Sequence, residues 1–134
     1  MTTIETSIAV SPNNISKLFG FLCDMRHFEQ ILPQDKVEKW EAEEDQCSFT
    51  IKGMSRIGLK RKSVEAPSTI FIESHGKVPF DFELEIQLKE QAEDQTSVQI
   101  IFQGEINAFL KMMVEKPLKN FFESLVNKAS GLKL

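Results

Sequence analysis

From Thr3 to Val10 apolar and polar residues alternate, with Ile4, Ile8 and Val10 on one face and Glu5 and Ser7 on the other. That period of two predicts a half-buried strand. Ser11-Pro12 then predicts a helix start, with serine as N-cap and proline at the first helical position. Ile15, Leu18, Phe19 and Leu22 follow at helical spacing. A second short helix carries Phe28, Ile31 and Leu32 and ends at Pro33.

Between Val37 and Ile106 the period is mostly two. Val37 to Ala42 is a strand containing Trp40, and Glu43-Glu44-Asp45-Gln46 a polar turn. Cys47, Phe49 and Ile51 mark the next strand, which Gly53 weakens or ends. Ile57 and Leu59 mark another, with Arg56, Lys60 and Lys62 opposite. Pro67 separates it from Thr69 to Ser74, where Ile70 and Ile72 share a face. Phe80 to Leu88 alternates without a break, and Ala92-Glu93-Asp94 turns it into Val98, Ile100, Phe102 and Ile106. Seven strands in mostly adjacent hairpins make an antiparallel sheet with one wet face. From Asn107, a capping residue, to about Lys133 the pattern predicts a helix about 40 Å long. Its apolar stripe takes in Phe109, Leu110, Met113, Leu118, Phe121, Phe122, Leu125 and Ala129. Pro117 predicts a kink, because it gives no hydrogen bond to the Met113 carbonyl, and Gly131 a stop.

The order is strand, two short helices, six strands, long helix, an α+β arrangement in which one helix covers the apolar face of a curved sheet. In its Ser11-Pro12 helix start, Leu32-Pro33 helix end, Ile51-Lys52-Gly53 strand end and Asn107-Ala108-Phe109-Leu110 helix entry leading to Pro117-Leu118, the chain resembles the START/Bet v 1-like superfamily. That group is also called SRPBCC, or the polyketide cyclase/dehydrase and lipid-transport group. The resemblance spans residues 1–134 as a single domain. It implies the helix-grip fold: a curved seven-stranded antiparallel sheet wrapped around a long C-terminal helix, with two short helices between strands 1 and 2.

The resemblance also implies an apolar cavity between sheet and C-terminal helix. Geometry agrees to the extent that strands longer than the usual five or six residues curl, and a helix about 10 Å across need not fill the hollow. Candidate lining comes from the inward parity of each strand: Phe49 and Ile51; Ile57, Leu59 and Arg61; Ile70 and Ile72; Phe80, Phe82 and Leu84; Ile100 and Phe102. The helix adds Phe109, Met113 and Phe121. The competing outcome is a dry core, with phenylalanines filling the hollow.

Composition changes the picture in three ways. Eleven Phe and one Trp with no Tyr make the interior bulky and free of phenol hydroxyls. Sixteen Lys plus Arg against twenty Asp plus Glu give a net charge of −4, which suits neither nucleic acid nor an anionic membrane surface. Cys23, Cys47, His27 and His75 are too few and too scattered for a metal site, so no metal or cofactor is expected. No apolar run reaches the ~20 residues of a spanning helix, and Met1-Thr2-Thr3-Ile4-Glu5 lacks a signal-peptide start, so a cytoplasmic location is expected.

Candidate chemistry is sparse. Asp81, Glu83 and Glu85 share one face of a strand, but that face is the wet one. His75 falls in a turn and His27 between two helices. Arg61 is the exception, because its parity points inward at the cavity end, where a buried guanidinium needs a partner such as a ligand carboxylate or phenolate. A bulge near Gly58 would flip that parity. Cyclases of the resembling group carry polar acid/base groups inside the cavity, often tyrosines, and this chain has none. The reading is therefore a binding protein for a small hydrophobic molecule such as a lipid, isoprenoid or polyketide-like ring, a monomer or weak homodimer with no catalytic residue assigned. One alternative is a cyclase- or dehydratase-like enzyme using His27 or Arg61. The other is a protein-interaction or quinone-escort module, with Arg56, Lys60, Arg61 and Lys62 as its concentrated positive patch.

Overall fold

In the computed structural model, which describes residues 1–134, the elements run β1 (Thr2–Glu5), β2 (Ala9–Ser11), α1 (Ile15–Cys23), a 3-10 helix (Met25–Gln30), β3 (Val37–Ala42), β4 (Gln46–Ile51), β5 (Arg56–Glu65), β6 (Thr69–Ser74), β7 (Phe82–Ala92), β8 (Gln95–Gly104) and α2 (Ala108–Ser130). The strands form one antiparallel sheet in the order β1-β8-β7-β6-β5-β4-β3, and β2 also pairs with β8. Adjacent hairpins supply every neighbour from β3 to β8, because short turns join antiparallel strands without a crossover.

The predicted first strand is two. Glu5 lies opposite Ile101 and Ala9 opposite Val98, so four steps on one strand meet three on its partner. One extra residue exchanges the faces beyond it. Ile4 is therefore buried, whereas Ile8 and Val10, predicted beside it, are exposed. Thr6 holds the break: its N–H donates to the Ile100 carbonyl and its Oγ1 accepts from the Ile100 N–H, each at 3.0 Å. The sheet thus has eight strand segments on a seven-strand path.

The start of α1 also differs. Its N-cap is Asn14, whose side chain accepts from the Ser16 N–H at 2.9 Å. Ser11 instead closes β2, and Pro12 lies in the turn between them. β7 begins at Phe82, which leaves Phe80 in the lead-in to the strand. Its alternation buries Phe82, Leu84, Ile86 and Leu88 and turns Glu83 and Glu85 outward, where Lys62 meets Glu83 at 3.1 Å. This is the solvated face of a half-buried sheet.

On that side Arg56 of β5 spans two neighbouring strands. It donates to Ser48 Oγ on β4 at 2.9 Å and to the Lys39 carbonyl on β3 at 3.1 Å, and it pairs with Glu41. The strapped segment of β3 is irregular: its register shifts between Glu38 and Glu41, and Lys39 has φ 56°.

The core is one cluster of 29 buried residues between the sheet and the helices. α2 starts where Asn107 accepts from the Leu110 N–H at 2.9 Å and continues through Pro117. From Leu118 onward it buries Leu118, Phe121, Phe122, Leu125, Val126 and Ala129, each large side chain contributing about 1.5–3 kcal/mol. Buried Asn13 anchors that end, donating to the Leu132 carbonyl at 2.6 Å and accepting from the Leu134 N–H at 3.0 Å. Lys128 Nζ adds a 2.9 Å bond to the Leu32 carbonyl.

Candidate functional site

Between the sheet and the middle of α2 lies a small void of about 20 Å³, lined by eleven hydrophobic residues and no polar one. β4 supplies Phe49 and Ile51, and β5 supplies Ile57 and Leu59. Phe80 comes from the lead-in to β7 and Phe82 from its first position, Phe102 from β8, and Leu118, Phe121, Phe122 and Leu125 from α2. Aromatic contacts run round the wall: Phe49–Phe121 at 5.9 Å, Phe121–Phe122 at 5.8 Å, Phe122–Phe102 at 5.4 Å and Phe102–Phe82 at 5.5 Å between ring centroids. Gly104 shapes the wall as well. A Cβ there would sit 2.6 Å from Phe102 Cζ, so the missing side chain is the space into which the Phe102 ring leans.

The void holds about one water-sized sphere, against the roughly 300–1,000 Å³ of small-molecule sites. The roomy cavity expected from strand length is not open here. The phenylalanines pack into the hollow of the curved sheet and against one another. Larger hollows, of about 350 and 380 Å³, lie elsewhere on the surface and are lined mostly by polar and charged residues. The first is rimmed by Glu73, Asp81, Glu83 and Glu105, the second by Glu41, Glu43, Gln46 and His75.

Eight of the residues proposed from sequence meet at the void: Phe49, Ile51, Ile57, Leu59, Phe80, Phe82, Phe102 and Phe121. Ile70, Ile72, Leu84 and Ile100 are buried core residues away from its wall. Three others lie elsewhere. Arg61 keeps its inward parity to the end of the regular ladder, and the register shift comes after it, between Arg61 and Ser63, rather than near Gly58. Its guanidinium is occupied by the backbone, donating to the Cys23 carbonyl at the end of α1 and reaching the Glu44 carbonyl at 3.5 Å. Arg61 thus ties the α1 terminus to the β3–β4 turn and lines no cavity. Phe109 and Met113 stand on the outer side of α2 and are exposed. Leu118, Phe122 and Leu125 belong to the apolar stripe but were not among the proposed lining. Their spacing of three and four from one another was the available signal.

The remaining polar candidates also lie outside the void. His27 stacks on Phe21 with centroids 4.2 Å apart, and its Nδ1 is 2.7 Å from the Phe21 carbonyl. The backbone N–H of His75 donates to the Gly58 carbonyl at 2.9 Å, and the residue rims a surface hollow away from the void. Arg26 grips Asp24 through two nitrogens, at 2.6 and 2.9 Å, and these hydrogen bonds hold the Asp24 carboxyl well below the usual range. Asp24 at the same time caps the 3-10 helix. Burial pushes the Cys47 thiol up to about 12, which leaves it protonated and inert at neutral pH. Burial also raises Cys23, and the Arg61 charge partly offsets this. No group of three or more His, Cys, Asp or Glu is placed to hold a metal ion.

No family model matches the chain, and no curated protein matches it by sequence. Solved structures do match. A protein from Thermus thermophilus superposes with a TM-score of 0.77 at 16% identity, over 97% of this chain and 95% of that one. A START superfamily protein from Mycobacterium smegmatis gives 0.69 at 12% identity, over 98% and 99%. The di-domain ARO/CYC BexL of the BE-7585A biosynthetic pathway gives 0.67 at 9% identity, over 96% of this chain and 46% of that one. The chain has the START/Bet v 1-like fold. At these identities the likeness extends to the fold, with the long helix laid across the curved sheet.

Proposed function

We propose that the protein binds a small, predominantly apolar molecule between the sheet and α2, the void being the closed form of that site. The observation that carries this reading is the wall: eleven apolar residues, six of them phenylalanine, and no polar group among them. Such a wall offers dispersion and hydrophobic burial and no hydrogen bond, so a hydrocarbon chain or ring fits it better than a hydroxylated polyketide. Entry needs expansion, and the half of α2 before Pro117 is the part least held by burial. A cyclase would need an acid or base within ~3 Å of a reacting proton, and neither His27 nor Arg61 lines the void. The chain is read as one domain, cytoplasmic, acting as a monomer or weak homodimer, with a small hydrophobic molecule as its partner.

The test is titration with an apolar fluorophore such as N-phenyl-1-naphthylamine, alongside native mass spectrometry of the purified protein. Saturable one-to-one binding, tightened by Phe121→Leu as the wall is thinned, is the expected result. A folded wild type and a folded Phe121→Leu variant that both leave the probe in water would make this a dry core and end the proposal.

A further inference from the structure

The first turns of α2 carry apolar side chains on two faces. Leu110 and Val114 turn toward the protein and are half-buried, leading to buried Leu118. Phe109, Met112 and Met113, at the i, i+3, i+4 spacing that shares a face, are 72%, 87% and 60% exposed. Three large apolar side chains grouped on one exposed helical face are not the charged surface that solvent favours. Charge on this segment also runs against the rest of the chain. Asn107 to Asn120 carries Lys111, Lys116 and Lys119 against Glu115 alone, in a protein whose net charge is −4. Lys116 follows Met112 by four residues and Met113 by three, which puts it on the same face, and Lys119 lies one turn further on. Lys111 and Glu115 pair on the flank at 3.6 Å. The next carboxylate along the face, Glu123, accepts from the Ser7 N–H at 2.7 Å.

We infer that this face of α2 docks the protein on an anionic lipid surface. Phe109, Met112 and Met113 enter the boundary between headgroups and acyl chains, and Lys116 and Lys119 meet the headgroup charge. A basic rim around aromatic and thioether tips is the composition of an interfacial helix, which needs no shape-matched partner. Two-fold pairing with a second copy would set lysines against lysines. The nearest carboxylates before the helix, Glu105 and the Asp81 whose carbonyl accepts from the Glu105 N–H at 3.0 Å, precede the Asn107 cap and are not on this face of α2. The net charge of the chain hides this reversal. The inference does not rest on the proposed cavity, because docking is read on the protein without ligand.

The experiment is co-sedimentation with phosphatidylcholine vesicles, with and without about one-third phosphatidylglycerol, at low and high salt. Wild type should partition onto the anionic vesicles, with binding weakened by salt. The triple variant Phe109→Ser/Met112→Ser/Met113→Ser should bind at least about tenfold more weakly with an unchanged melting curve, since all three side chains are exposed. Lys116→Glu/Lys119→Glu should lose the preference for anionic lipid while keeping the fold. The inference is overturned if wild type stays in the supernatant, or if the triple variant sediments equally well. It is also overturned if gel filtration shows a wild-type dimer that the triple variant abolishes, which would make a second copy the occupant.

Discussion

In the C-terminal half of α2, Leu118, Phe121, Phe122 and Leu125 are buried; in the N-terminal half, Phe109, Met112 and Met113 stand in solvent. The exposed half is no less apolar by residue type than the buried one, so composition does not decide which is covered. Phase does. At 100° per residue Phe109 lies about 120° round the helix from Phe121, and Met113 about 80°. Anchoring differs in the same direction. Asn13 and Lys128 fasten the C-terminal half to the β2–α1 turn and to the end of the helix pair, while the N-terminal half has its Asn107 cap and one flank pair, Lys111–Glu115.

The contrast can be broken most severely from the buried side. Leu125→Ala should cost about 2–5 kcal/mol, read by urea denaturation, because it removes a wall residue next to an existing void. A loss under about 1 kcal/mol would mean that α2 collapses onto the sheet without it. Pro117→Ala should act in the opposite direction. It restores a donor for the Met113 carbonyl at an exposed position and should stabilise the protein by up to about 3 kcal/mol. It should also slow the exchange of a bound apolar probe. Raised stability with unchanged exchange would leave Pro117 with no part in entry.

Gly104→Ala sharpens the comparison at the wall itself. The new Cβ pushes the Phe102 ring toward the void, with an expected loss of about 1–3 kcal/mol and weaker probe binding. A crystal structure of the variant with Phe102 unmoved would refute this account of the wall. The smallest effect belongs to Phe109→Ala, a shift within about 0.5 kcal/mol on the same denaturation scale. A loss comparable to that of Leu125→Ala would show that the N-terminal half of α2 is packed after all.

Much of this fold was legible because alternation is a strong signal wherever one face is buried. The run from Phe82 to Leu88 and the hairpin that follows it are the clearest case. The break at Ser7-Ile8 was not legible, since the apolar residues Ile8 and Val10 continue the period across the bulge, and the pairing of Thr6 with Ile100 depends on a strand nearly a hundred residues away. At the void, strand parity accounts for seven of the wall residues and the helix stripe for Phe121. The helix stripe also takes in Phe109 and Met113, which are exposed, because a stripe counted by residue type merges two helix faces. Arg61 was read to the correct side of the sheet, but its partner, a backbone carbonyl at the end of α1, has no sequence signature. Whether the hollow is open or filled depends on how aromatic rings nest, and this the order of residues does not carry.

Lys39 offers a different consequence. A lysine at φ 56° costs about 1–3 kcal/mol, and the Arg56 strap across β4 holds it there. β3 is the last strand at its end of the sheet, so its outer hydrogen-bonding groups would otherwise be a flat template for recruiting further strands. Kinked at Lys39 and flanked by Glu38 and Glu41, that border is ragged and charged, and at the opposite border the break between β1 and β2 interrupts the template in the same way. Neither margin is suited to templated growth of the sheet by further strands.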